Sequence, residues 1–172
     1  MRDLLAYLLY GAIALLALLG IFEIYNSIIR SSNIEEFRQQ VTEYKTEMNQ
    51  NYLRVPGRYG TSQFLPSNLI IMGIAPTSAQ LDANTLTNPW NGNSAVYGVN
   101  NANFALDNDN IDQASCIAIL RQFTADMGIV QFQVGANIAG AASGAPVPPG
   151  SDDNTIINAC ANPVNGIRLL MQ

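Results

Sequence analysis

Hydrophobic and polar positions divide this chain into three stretches. Residues 4–22 read LLAYLLYGAIALLALLGIF and carry no charge. As a helix rising 1.5 Å per residue they span about 28 Å, close to the hydrocarbon thickness of a bilayer. Arg2 and Asp3 stand before the run, and Glu23, Asn26 and Ser27 follow it. The pattern predicts one helix over residues 1–30. Gly11 and Gly20 are its weak points, because glycine inside a helix costs about 1 kcal/mol relative to alanine. They are either tolerated or are the places where the helix bends, and in lipid small residues let helices approach closely. From residue 34 the period changes. Ile34, Phe37, Val41, Tyr44, Met48 and Tyr52 recur in steps of three or four, which predicts an amphipathic helix with one buried stripe. Between the two patterns, Ser31, Ser32 and Asn33 interrupt. Ser32 and Glu35 have capping-box spacing, so the helix either restarts there or exposes a polar patch. Pro56-Gly57 is the expected end of the helix.

Beyond the helix the repeats shorten. Residues 54–94, rich in proline and glycine, read as a long structured loop region, with half-buried helical turns or a short strand at 69–72. Residues 95–99 and 103–106 are strand-like around an Asn100-Asn101 turn. Residues 112–123 read as a helix capped by Asp112, with Cys116, Ile117, Leu120 and Phe123 on its stripe. Residues 129–134 alternate as a strand with Val130, Phe132 and Val134 on one face. Residues 135–150 read as a loop or edge insertion, 152–161 as a short helix ending near Cys160, and 167–171 as a last strand. The predicted fold is α+β: a long N-terminal α-helix, apolar then amphipathic, packed on a small antiparallel β-sheet head with a C-terminal disulfide loop. The expected division is a helix over 1–53, with 1–30 apolar and 31–53 amphipathic, and a globular head over 54–172. The apolar run is longer than a usual signal core and no small-residue cleavage site follows it, so it reads as retained.

Composition narrows the function. The net charge of −5 resides in residues 59–172, where Arg121 and Arg168 face seven acidic side chains. An acidic head argues against direct nucleic-acid binding, which needs phosphate-neutralising Lys and Arg. There is no histidine, and the single lysine, Lys45, falls on the helix, so neither a histidine-based nor a serine–lysine catalytic set assembles. Phosphate-cradling glycine motifs are absent. The expectation is no enzyme and no cofactor. Cys116 and Cys160 lie 44 positions apart, a spacing of neither zinc nor redox motifs; in an exported domain they read as a disulfide, otherwise as two buried thiols. Asp107, Asp109 and Asp112 put carboxylates near the spacing calcium favours. The EF-hand pattern fails there, however, and an acidic helix start explains the same letters. Asp3 either sits among lipid headgroups or meets a free amino terminus on a neighbouring copy, since a carboxylate at the edge of an apolar core needs a partner.

Taken together, the apolar helix, its amphipathic continuation, the sheet-bearing head, Asn88-Pro89-Trp90-Asn91-Gly92, Gln113-Ala114-Ser115-Cys116 with Leu120, and a late Cys160 resemble the type IV pilins. The likeness is to the type IVb branch, which includes toxin-coregulated, bundle-forming and conjugative thin-pilus pilins. The resemblance implies a structural major subunit of a pilus, held in the inner membrane before assembly and then stacked into a helical homo-oligomeric filament at the cell surface, serving adhesion, aggregation or conjugation. It implies a filament core built from Leu4, Leu5, Leu8, Leu9, Leu15, Leu16, Leu19 and Phe22. It also implies pilus assembly machinery and a prepilin peptidase as partners, with processing and methylation at Met1 if this is the mature chain. The family usually has glutamate at mature position five. Leu5 stands there, and Asp3 is the nearest acid. The alternatives are a pseudopilin of a secretion or uptake system, and a tethered exported binding domain that does not polymerise.

Overall fold

The computed structural model describes the backbone of residues 2–52, 59–123 and 125–172, and the side chains of all of these but 2–6, 8, 9 and 126. The chain divides into two compact units, Met1–Asn33 and Ile34–Gln172. A single helix, α1 (Arg2–Tyr52), accounts for the described part of the first and opens the second. Residues 31–33 are helical, so the helix does not restart at the expected capping box. Serine and asparagine cost a helix only about 0.7 kcal/mol each, less than the packing that begins at Ile34 supplies.

In the second unit the predicted stripe is the core. Ile34, Phe37, Val41, Tyr44 and Met48 are all buried among the apolar side chains of the sheet and of the shorter helices. Gln40 is buried with them, its amide donating to Ser78 Oγ at 3.3 Å. Two short strands, β1 (Gln80–Asp82) and β2 (Thr85–Thr87), follow a short helix, α2 (Pro66–Ile71), inside what the sequence suggested was loop. Then come β3 (Asn93–Gly98), β4 (Phe104–Asp112), α3 (Gln113–Gln122), β5 (Ile129–Gly135), α4 (Ile138–Ala142), β6 (Pro146–Val147), α5 (Asp153–Ala159) and β7 (Val164–Met171). The seven strands form one antiparallel sheet in the order β1-β2-β3-β4-β7-β5-β6.

Three departures from the expected pattern have local causes. β4 runs on through the polar stretch DNDNID because those side chains find partners across the sheet: Asp107 on Arg168, Asn108 accepting from Ser94 Oγ at 2.6 Å, and Asp109 accepting from the Asn93 backbone N–H. Val130 is exposed, and Ile129 takes the core position, because the register of β5 against β7 slips between Ile129 and Gln131 and turns alternate side chains over. The stretch 135–150, read as a loop or edge insertion, supplies the edge strand β6 and also α4, seated directly on the sheet. Gly135 and Gly166 are register partners. A Cβ on Gly135 would lie 2.2 Å from the Gly140 carbonyl carbon, and one on Gly166 would lie 2.2 Å from that of Asn137. By strand alternation these glycines face away from Val134 and Ile167, so α4 covers the side of the sheet opposite the core.

Candidate functional site

In the first unit the described apolar side chains lie all round the helix, and none is covered. Leu15, Leu16, Leu19 and Phe22 are each more than half exposed, as are Tyr7, Tyr10, Leu18 and Ile21. Among the described residues this is the one helix long and apolar enough to cross a membrane, and its most apolar window has no buried residue. A helix apolar on every side is stable only in lipid or among other helices. Gly11 and Gly20 lie within it, with open space where a Cβ would stand. Met1 lies outside the described residues, as do the side chains of Asp3, Leu4, Leu5, Leu8 and Leu9.

The second unit shows how a head is fixed on its helix. The loop between β2 and β3 is organised by Asn88. Its Oδ1 accepts from the Trp90 and Gly92 backbone N–H groups at 3.0 and 3.1 Å, and its Nδ2 donates to the Asp109 carbonyl at 2.8 Å. Asn110, held at φ 60°, donates to the Trp90 carbonyl at 2.7 Å. These bonds aim the Trp90 ring edge-on at Phe37 of α1, with centroids 5.4 Å apart, and Phe37 stacks on Phe123. The indole N–H donates to Ser115 Oγ, which in turn donates to Asp112, the residue whose carboxylate also caps α3 by accepting from the Ser115 N–H. At the next residue of α3, Cys116 is bonded to Cys160, the C-cap of α5, with Cα atoms 5.9 Å apart. The disulfide thus ties α3 to the lead-in of β7. Helix, loop, α3 and last strand are joined in one continuous sequence of contacts.

A second polar junction lies across the middle of the sheet. Arg168 of β7 grips its register partner Asp107 of β4 with two nitrogens, at 2.7 and 2.6 Å, and its guanidinium lies 5.5 Å from the Tyr97 ring centre. Asp107 is completely buried and Arg168 is partly buried. Burial pushes the Asp107 carboxyl above the ordinary carboxylate range, and the hydrogen bonds and charge of Arg168 offset part of that rise.

The three carboxylates of the calcium reading, Asp107, Asp109 and Asp112, have separate protein partners. Asp107 belongs to Arg168, Asp109 to the Asn93 N–H, and Asp112 to the start of α3. Among the described residues no three Asp, Glu or Cys side chains converge as a metal site. Sequence reasoning counted Arg168 only as a charge and Asn88 only as part of the tryptophan motif, without the partner of either. Each was a lone polar residue whose partner lies 61 or 21 positions away, and only strand order brings them together.

This arrangement of apolar helix, antiparallel sheet and stapled last strand has solved counterparts. TcpA, a type IV pilin from Vibrio cholerae El Tor biotype, superposes with a TM-score of 0.59 at 16% identity, over 82% of this chain and 99% of TcpA. The type IVb pilin from Salmonella typhi superposes with a TM-score of 0.52, also at 16% identity, over 76% of this chain and 96% of that one. The fold is that of a type IVb pilin. The family model described as "PilS N terminal" matches residues 28–166, and the chain belongs to that family. No curated protein sequence matches it.

Proposed function

We propose that this pilin is the major structural subunit of a type IV pilus, polymerising through its N-terminal apolar helix. The observation that carries the reading is the bare apolar surface of the first unit. Residues 4–22 contain eight leucines, and burying each is worth about 1.5–3 kcal/mol. Lipid shelters that surface in a single subunit. Copies of the same helix shelter it in a fibre, and a repeated heterologous contact that does not close gives a filament. The head supplies the outer wall. The chain has no histidine, and its single lysine, Lys45, lies on the helix, which fits a structural rather than a catalytic role.

The finer parts of the proposal follow the pilin resemblance. The unassembled subunit waits in the inner membrane, pilus assembly machinery extracts it, and the fibre stands at the cell surface. A prepilin peptidase generates the mature end, Met1 is methylated, and Asp3 serves as the partner of the terminal amine in place of an acid at Leu5. Electron microscopy of material sheared from cells, with antibody against the head, tests the polymer. Thin labelled fibres are expected, and their absence together with a protein that stays monomeric in detergent overturns it. Mass spectrometry of the terminal peptide tests the processing: one added methyl group on Met1 is expected, and an unmodified amine refutes that part alone.

A further inference from the structure

We infer that the Asn91–Gly92 bond is a latent deamidation site which the side chain of Asn88 holds closed. The sequence has two Asn–Gly pairs, Asn91-Gly92 and Asn165-Gly166. Asparagine followed by glycine is the pair most open to this chemistry, because no side chain shields the following amide nitrogen. That nitrogen attacks the asparagine Cγ, the Cγ–Nδ2 bond breaks, and ammonia leaves carrying the amide proton. Water then opens the resulting succinimide at either carbonyl, giving aspartate or isoaspartate. Asn165 is fully buried within β7. Asn91 is different: it is exposed, at φ 56°, in a loop. What protects it lies at the next residue: Gly92 is buried, and its N–H, the group that must lose its proton to attack, is donated to Asn88 Oδ1 at 3.1 Å. Asn88 cannot undergo the same reaction, since Pro89 after it has no N–H.

The product would not fit. A Cβ on Gly92 would lie 2.2 Å from the Asp109 carbonyl oxygen and 2.6 Å from the Asp109 carboxylate, so the Gly92 backbone is packed tightly against Asp109 and has little room to shift when isoaspartate lengthens the chain before it by one methylene. Asn91 and Asp109 line the same surface hollow, so the new carboxylate adds a second negative charge there. Deamidation therefore releases the loop that aims Trp90 at Phe37, and the head loses that one contact with the amphipathic half of α1.

The test is peptide mapping of the full chain in detergent, held at mildly alkaline pH, comparing deamidation at Asn91 and at Asn165. In Asn88→Ala the rate at Asn91 should rise by about tenfold, the factor one ordinary hydrogen bond is worth, with Asn165 unchanged. Asn88→Asp keeps the acceptor and should stay slow. Asn110→Ala loosens the same loop without freeing the Gly92 N–H and should also stay slow. An unchanged rate in Asn88→Ala, or an equal rise in Asn110→Ala, overturns the inference. Should Asn88→Ala fail to fold, the wild-type chain decides. Asn91 must deamidate at least about tenfold slower folded than in urea, and the Gly92 amide must exchange with solvent correspondingly slowly. Equal folded and unfolded rates, or a freely exchanging Gly92 amide, refute it.

Discussion

Two side chains illustrate how a buried polar group fares with and without a partner. The Tyr44 ring fills the core, and burial pushes its phenol well above the ordinary tyrosine range; among the described residues its hydroxyl has no hydrogen-bond partner. Removing an unpaired buried hydroxyl recovers its desolvation penalty, so Tyr44→Phe should raise stability by about 1 kcal/mol in urea unfolding, where a loss would show that the hydroxyl is bonded after all. Asp107 is the opposite case. Its carboxyl is bound from two directions by Arg168, yet burial still holds its pKa above the ordinary value. An acid whose pKa is higher folded than unfolded adds stability at acid pH. That contribution is lost as pH rises through the raised folded value. At neutral pH the ionised Asp107 is therefore tolerated only because of Arg168. Arg168→Gln should destabilise the head by about 3–5 kcal/mol near neutrality, because a lone charge is left buried. The loss should shrink as pH falls through the raised Asp107 value, and adding Asp107→Asn should restore part of it. A pH-independent loss would contradict this account.

Among the elements, α3 and α4 are held by contrasting means. α3 is fixed covalently. Closing a loop of 44 residues restricts the unfolded chain by about 4 kcal/mol in the chain-entropy model, so Cys116→Ser should lower head stability by up to that amount and reduce surface fibres while leaving membrane insertion intact. Fibre yield equal to wild type would count against the staple. α4 is fixed by the absence of side chains beneath it. Gly166→Ala would push a methyl group into the Asn137 carbonyl; a shift costing about 1–3 kcal/mol is expected, read as faster amide exchange confined to α4. The two cases also show what the sequence could convey. Asp112 as the cap of α3, Cys116 on its stripe, and the core stripe of α1 from Ile34 to Met48 were legible, because each is written in neighbouring residues at a fixed period. β1, β2, α4 and β6 were not. They are five residues or fewer, and their existence depends on strands and glycines supplied from elsewhere in the chain. The exposed Val130 was misread for a related reason, since a register slip leaves no mark in an alternating string.

For the molecule as a whole, the decisive property is a helix whose described apolar side chains before residue 30 are all exposed, continuing in sequence into a head with a complete core. A charge at Leu9 or Leu16 tests whether that surface ends among copies of itself. Leu16→Lys or Leu9→Lys should abolish fibres, since a buried unpaired ammonium costs several kcal/mol and the substitution recurs in every subunit. The head of the variant should retain its urea-unfolding midpoint. Normal fibres in that variant would mean that the apolar surface is not packed. The family and the fold class were legible at this scale because the greasy run, the tryptophan loop and the two cysteines are far apart and each independent. The polar junction between Asp107 and Arg168 was not, because its members are joined only by the strand order β4-β7.

The rims of the sheet have a consequence of their own. One rim, β1, is three residues long with a slip in its pairing, and the other, β6, is two residues opening on a proline. Neither gives a stranger's backbone enough ladder to zip onto. Heads of this design can be crowded shoulder to shoulder, at concentrations where longer open rims would knit into amyloid, and still remain separate beads.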